Sequence, residues 1–201
     1  DTREALGRFA AWYRGKCRAT VIGITGSVGK TSTREAIYAV LSERWVGIRS
    51  VKNFNNDIGV PLSLLELEPD HQFAVIEMGA SGPGEIARLA KIAGPQIGVL
   101  TRIGAAHLEG FGSIEGVSRA KEELVAALGR TGTAVLNADD PRLRVIGETA
   151  KCGVLWYGTH SNPWPLIARG VDIKPAGETV SFRLECGPRV NLAAAGLTNV
   201  V

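Results

Sequence analysis

The chain is 201 residues long, 45% hydrophobic and 21% charged, with a formal net charge of +3. That length and apolar content suffice for one domain with a real core and exclude a disordered or fibrous chain. The charge is too small and too dispersed for a dedicated nucleic-acid surface and no apolar run is long enough to span a bilayer; with Cys17, Cys152 and Cys186 too far apart for a disulfide framework or a zinc site, reduced thiols in a cytoplasmic protein are expected.

A helix is predicted over 3–14 and a strand over 20–24, which runs into Thr25-Gly26-Ser27-Val28-Gly29-Lys30-Thr31-Ser32 and a second helix over 31–43. Strand, glycine turn and helix in that order wrap a nucleoside triphosphate. Gly26 and Gly29 let backbone N–H groups turn inward, the helix start presents its positive end to phosphate, Lys30 supplies a mobile cation and Thr31 a hydroxyl for Mg²⁺. The strict phosphate-loop pattern wants a glycine at position 24, which is Ile24, but the Gly-Lys-Thr core and its context are intact. The chain should bind ATP.

A strand over 46–51 leads into the polar loop Lys52-Asn53-Phe54-Asn55-Asn56-Asp57 and a helix over 58–66. The loop reads either as a plain turn or as a source of amide donors for a substrate, Asn55 and Asn56 foremost. The apolar strand over 73–77 ends in Glu77. Ligands of open parallel sheets sit at the carboxyl ends of strands, so this carboxylate is either a simple strand-end charge or, beside a phosphate loop, a group for Mg²⁺ ligation or water positioning. After a helix over 83–92 and a strand over 97–101 comes His107, a surface residue or a second metal ligand.

The helix over 114–128, capped by Ser113, carries an apolar stripe of Ile114, Val117, Leu124 and Leu128 with Lys121 on it. Lys121 either snorkels to solvent or places an amine near phosphate or metal, as a cation or converted to an anion. A strand over 133–137, a helix over 141–149 opened by Asp140-Pro141 and a strand over 153–157 complete the alternation. Beyond the break at Asn162-Pro163-Trp164-Pro165, short strands are predicted over 166–173, 179–184 and 188–192. The fold expected is α/β: a P-loop-type, mostly parallel sheet flanked by helices, with a small antiparallel C-terminal addition.

Taken together, the phosphate loop, the 53–61 loop, Ile76-Glu77-Met78-Gly79-Ala80, Gly84-Glu85-Ile86, His107-Leu108-Glu109-Gly110-Phe111-Gly112-Ser113, Arg119-Ala120-Lys121-Glu122 and Asn137-Ala138-Asp139-Asp140-Pro141 resemble, in order and over roughly 20–145, the central ATPase domain of the Mur ligases. The Phe-Asn-Asn, Glu-Met-Gly-Ala and His-Leu-Glu-Gly-Phe-Gly-Ser stretches look most like the branch that joins D-alanyl-D-alanine to UDP-N-acetylmuramoyl-tripeptide in cytoplasmic peptidoglycan precursor synthesis. The resemblance implies ATP-driven amide ligation through an acyl phosphate, with Gly26, Ser27, Val28, Gly29, Lys30, Thr31, Ser32 and Asn137 at the nucleotide. It further implies one Mg²⁺ at Thr31 and Glu77, a second at His107, a carbamylated Lys121 that orients magnesium, and Asn55 and Asn56 at the substrate.

Two positions depart from the family pattern: Arg102 stands where an asparagine is more usual, and Thr198 replaces a histidine near the end. The resemblance leads us to expect a linker helix over 1–18 and a C-terminally truncated central domain over 19–201. The flanking domains would be missing, nucleotide binding weakened and ligase turnover absent. Folylpolyglutamate synthase and cyanophycin synthetase share the core chemistry and are the nearest rivals, and a non-catalytic nucleotide-binding module is the rival of another class.

Overall fold

Short apolar strands that alternate with amphipathic helices bury both faces only as a sheet with helices packed on it. The computed structural model describes residues 1–159, 166–176, 179–184 and 189–193. The elements are α1 (Thr2–Arg14), β1 (Thr20–Thr25), α2 (Lys30–Ser42), β2 (Gly47–Arg49), α3 (Gly59–Leu65), β3 (Phe73–Glu77), α4 (Glu85–Ala93), β4 (Ile97–Leu100), α5 (Leu108–Phe111), α6 (Ile114–Ala127), β5 (Thr133–Asn137), α7 (Pro141–Thr149), β6 (Gly153–Gly158), β7 (Leu166–Ala176), β8 (Thr179–Leu184) and β9 (Arg189–Ala193).

Strand order is β2-β3-β1-β4-β5-β6-β7-β8-β9. All pairings from β2 through β7 are parallel, and only β8 and β9 add antiparallel. The sequence places the 166–173 strand in the antiparallel addition; β7 instead continues the parallel sheet beside β6 and turns antiparallel only towards β8. The short helix α5 is not anticipated from sequence, since four residues leave no periodicity to read. The Asn162-Pro163-Trp164-Pro165 break, Cys186 and the 196–201 stretch lie outside the described residues.

Strand alternation divides the core. Ala74 and Ile76 join Val21, Leu64, Ile86 and Leu124 in a large cluster on the face covered by α1, α3, α4, α6 and α7. Phe73 and Val75 join Ile22 and Ile24 on the other face, where Ile37, Tyr38 and Leu41 of α2 pack. By the same alternation Glu77 projects to the α2 side. The chain leaves β1 leftward through α2 and leaves β3 rightward through α4, so the neighbouring ends of β1 and β3 form the topological switch point where such sheets bind ligands.

Residues 1–18 do more than link. Tyr13 donates its hydroxyl to the Leu67 carbonyl, Arg14 donates from Nε to the Ala93 carbonyl at 3.1 Å, and Ala10 is fully buried. The helix is thereby fastened to the same face as α3 and α4. No helix among the described residues is long and apolar enough to cross a membrane.

Leu124 is fully buried, and side chains added at Gly23 of β1 or Gly98 of β4 would come within 3.2 Å of it. It is the peg that seats α6 on the central strands. Leu124→Ala is expected to cost about 3 kcal/mol in denaturant unfolding, because so close a fit cannot collapse around the void. Val40→Ala, at a site 71% exposed, should stay within about 0.5 kcal/mol.

Candidate functional site

β1 delivers the chain into the glycine turn. Gly26 has φ 150°, and a Cβ there would overlap the Thr101 hydroxyl oxygen, so neither the conformation nor the space admits another residue. Gly29, at φ 83°, starts α2 directly beneath the loop. Lys30 reaches back over the turn, its Nζ donating to the Gly26 carbonyl at 2.9 Å. Burial pushes this ammonium below the usual lysine range while Glu77 pulls it back up. The loop is moored to the next strand end: the Ser27 hydroxyl donates to the Gly104 carbonyl and accepts its N–H, each at 2.9 Å, and the Thr101 hydroxyl donates to the Val28 carbonyl at 2.6 Å.

Glu77 is 2% exposed, which a carboxylate tolerates only if donors surround it. Its Oε2 accepts from the Thr31 hydroxyl at 2.9 Å and from Arg34 Nη1 at 3.2 Å, and its Oε1 accepts from Asn55 Nδ2 at 2.9 Å. Its backbone N–H is taken by the buried Ser50 hydroxyl at 3.0 Å. The 53–56 loop is closed onto this carboxylate. Gly79 N–H donates to the Asn55 carbonyl at 2.8 Å, and Asn56 Oδ1 accepts the N–H groups of Ile58 and Gly59, starting α3.

On the opposite face, α6 buries Gly116, Val117, Ala120, Lys121, Leu124 and Val125, the stripe expected from sequence with the lysine on it. Lys121 is 4% exposed, its Nζ lies 5.5 Å from the centre of the Phe111 ring, and its pKa is lowered to about 8 by burial and then by the Lys30 charge. Glu123 and Glu85 act against that shift. Both carboxylates are engaged nearby: Glu123 accepts the Gly84 and Ala87 N–H groups at the start of α4, and Glu85 accepts from Ser81 N–H at 2.9 Å. His107 is exposed and opens α5 at φ 53°, a left-handed backbone uncommon for a non-glycine residue.

A cavity of about 330 Å³ gathers most of these groups: Gly26, Ser27, Lys30, Asn55, Asn56, His107 and Lys121 all line it. Thr31 and Ser32 stand exposed at the mouth of α2, with Val28 half exposed on the loop. Thr31, Glu77 and Asn137 are not among the lining residues: Thr31 and Glu77 bond to each other beside the cavity, and Asn137 Nδ2 donates to the Thr101 carbonyl while its Oδ1 accepts the Asp139 N–H, bracing the strand end behind the loop. Tyr157 supports the same carbonyl, its hydroxyl 3.3 Å away, and burial followed by Asp139 and Asp140 raises its pKa.

Sequence reasoning missed Arg34, which is 3% exposed beside Glu77. The clue was present: Arg34, Ile37, Tyr38 and Leu41 fall on one helical face, so a charge sits on a sheet-facing stripe just as Lys121 does. Phe111, lying under the Lys121 amine, carried no comparable sign.

The residues fit a hard divalent cation. A buried carboxylate and a threonine hydroxyl already within 2.9 Å are oxygen donors of the kind Mg²⁺ takes, at the positive end of α2 where a triphosphate would sit. His107 offers a further, unburied ligand across the cavity.

The Mur ligase middle domain family model matches residues 24–200. A UDP-N-acetylmuramoyl-tripeptide–D-alanyl-D-alanine ligase of Escherichia coli is 46% identical over 140 residues, 70% of this chain and 31% of the relative. A MurF crystal structure from Acinetobacter baumannii superposes with a TM-score of 0.91 at 36% identity, covering 100% of this chain and 44% of that one. A MurF ligase of Thermotoga maritima in complex with ADP gives 0.85 at 31% identity, covering 96% and 45%. The chain spans less than half the length of these relatives.

Burial of the Lys121 amine makes the stability of the fold depend on pH. Below pH 8 the folded and unfolded chains both hold the proton, and the folded state bears the cost of a buried cation. Between about 8 and the ordinary 10.5 the folded state releases it first, so stability rises with pH across that window. Lys121→Leu is expected to remove this rise, measured as denaturant midpoints at pH 7.5, 8.5 and 9.5 against wild type.

Proposed function

The chain belongs to the Mur ligase family, and from that premise we propose that it is the ATP-binding core of the ligase that joins D-alanyl-D-alanine to UDP-N-acetylmuramoyl-tripeptide in the cytoplasm. The observation that carries the reading is the shared cavity, in which a phosphate loop, the Asn55–Asn56 loop, His107 and a buried lysine meet. A passive nucleotide binder has no use for the last two.

The γ-phosphoryl group of ATP transfers to a carboxylate oxygen of the tripeptide, and ADP leaves. The amine of D-alanyl-D-alanine then attacks the acyl carbon, the C–O bond to phosphate breaks, phosphate departs and the amine loses a proton. Two anions meet in the first step, so catalysis rests on positive charge placed in advance. Lys30 lies over the Gly26 turn, where it neutralises β- and γ-oxygens, and loop N–H groups at the start of α2 bind the same phosphates. Thr31 and Glu77 would hold one Mg²⁺ and His107 a second, and the bound ions would supply Lewis acidity and charge neutralisation. Asn56, and the N–H of the Asn55 amide not given to Glu77, are the donors offered to the acceptor substrate.

Lys121 is suited to carbamylation because only a neutral amine adds CO₂, and a pKa of about 8 leaves a substantial neutral fraction at physiological pH. The product is an anion in the position of a cation, able to hold magnesium where an ammonium repels it. With ¹³C-bicarbonate, wild type is expected to show a carbamate carbon resonance that Lys121→Ala lacks.

The experiment for the function uses the full-length protein carrying this chain. Supplied with ATP, Mg²⁺, UDP-N-acetylmuramoyl-tripeptide and D-alanyl-D-alanine, it should release ADP and phosphate in step with ligated product. Lys121→Ala should lower kcat by about 10²-fold or more. Turnover with folate and glutamate instead would place the chain with the folylpolyglutamate synthases, and undiminished activity of Lys121→Ala would remove the role given to that lysine.

A further inference from the structure

Arg34 stands on α2 one turn beyond Thr31 and is almost wholly buried. One nitrogen, Nη1, donates both to Glu77 Oε2 at 3.2 Å and to the Lys52 carbonyl at 2.6 Å. The other edge of the guanidinium, Nε and Nη2, grips Glu35 Oε1 at 3.0 and 2.7 Å. Glu35 is in turn paired through Oε2 with Arg49 Nε at 2.7 Å, and Arg49 lies over the Tyr38 ring at 4.1 Å. The fork is therefore held in orientation from behind, and only its front nitrogen is shared between Glu77 and the polar loop.

Lys52 has φ 51°, one of two positive values among the described non-glycine residues. A backbone so placed needs an external hold, and the Arg34 contact to its carbonyl supplies one. Three residues on, Asn55 closes the circuit from the loop side by donating to the other oxygen of Glu77. Carboxylate and loop thus share two tethers, and Thr31 adds the start of α2 to the same carboxylate.

We propose that Arg34 is a positioning residue that works from behind the cavity wall: by holding Glu77 Oε2 and the Lys52 carbonyl with one nitrogen, it makes the carboxylate beside Thr31 and the 53–56 loop that lines the cavity move as a unit. Binding of metal and nucleotide at Thr31 and Glu77 then orders the loop that receives the acceptor substrate. The identity of the coupled ligands rests on the function proposed above; the tether itself does not.

Amide hydrogen exchange of the 201-residue chain tests both parts. Without ligand, Arg34→Gln should speed exchange at Ile58, Gly59 and Gly79, whose N–H groups bond to Asn55 and Asn56, about tenfold or more while β1 and β4 amides keep their rates. Arg34→Lys, which retains the charge and donors for the two oxygens, should restore slow exchange. Adding Mg·ADP should protect the loop amides further in wild type and Arg34→Lys but not in Arg34→Gln. If Arg34→Gln does not fold, the neutral pair Arg34→Gln/Glu77→Gln removes both partners of the buried ion pair and should show the same loss of protection. A uniform rise across β1 and β4, or unchanged loop rates, overturns the proposal and leaves Arg34 an ordinary structural residue. Absence of any Mg·ADP effect in wild type would instead count against the nucleotide reading, with the ligand-free rates still deciding the tether.

Discussion

A carboxylate taken out of water is costly unless its lone pairs are filled, and Glu77 is the point around which the site is built. Thr31, Arg34 and Asn55 reach it from the helix after β1 and from the loop after β2, while β3 carries it. Each of those segments leaves the sheet at the same rim. Satisfying one buried charge therefore fixes the relative placement of the phosphate loop, the Asn-rich loop and the end of β3. The sheet's strand order makes this available, since β1 and β3 are neighbours whose connections depart to opposite sides.

The cavity's other wall follows a different logic. Lys121 has no hydrogen-bonded or ion-pair partner among the described residues, and its amine is set over the Phe111 ring. Here the strain is kept rather than relieved: Lys30 repels the ammonium across the cavity, and the two nearby carboxylates are occupied in starting α4. Burial makes Lys121 a group whose charge can be altered by environment or by chemistry.

Much of this was legible in the sequence, for identifiable reasons. The phosphate loop is local: glycines, lysine and threonine act within eight residues, so spacing alone conveys their geometry. Glu77 was readable because a buried strand announces its own end, and alternation along Phe73, Val75 and Glu77 even gives the face. Lys121 stood out as a charge on an apolar stripe, and burial on α6 follows that pattern. What escaped was non-local. Arg34 could be placed on the sheet-facing side of α2, but its carboxylate partner lies 43 residues away and its carbonyl partner 18, distances at which periodicity says nothing. The parallel course of β7 escaped likewise, since a strand's own residues do not name its neighbour. Asn137, assigned to the nucleotide by resemblance, gives its amide to the Thr101 carbonyl and the Asp139 N–H, contacts that no local pattern in the sequence announces.

Calorimetry of ADP binding to the wild-type chain and to Glu77→Gln, each with Mg²⁺ and with EDTA, decides what Glu77 does. Mg²⁺ should tighten ADP binding to wild type, and Glu77→Gln should lose this gain while keeping the metal-free affinity supplied by Lys30 and the loop. Equal Mg²⁺ enhancement in both proteins would contradict this, because Glu77 would then be a buried structural charge and not the group that joins metal to nucleotide.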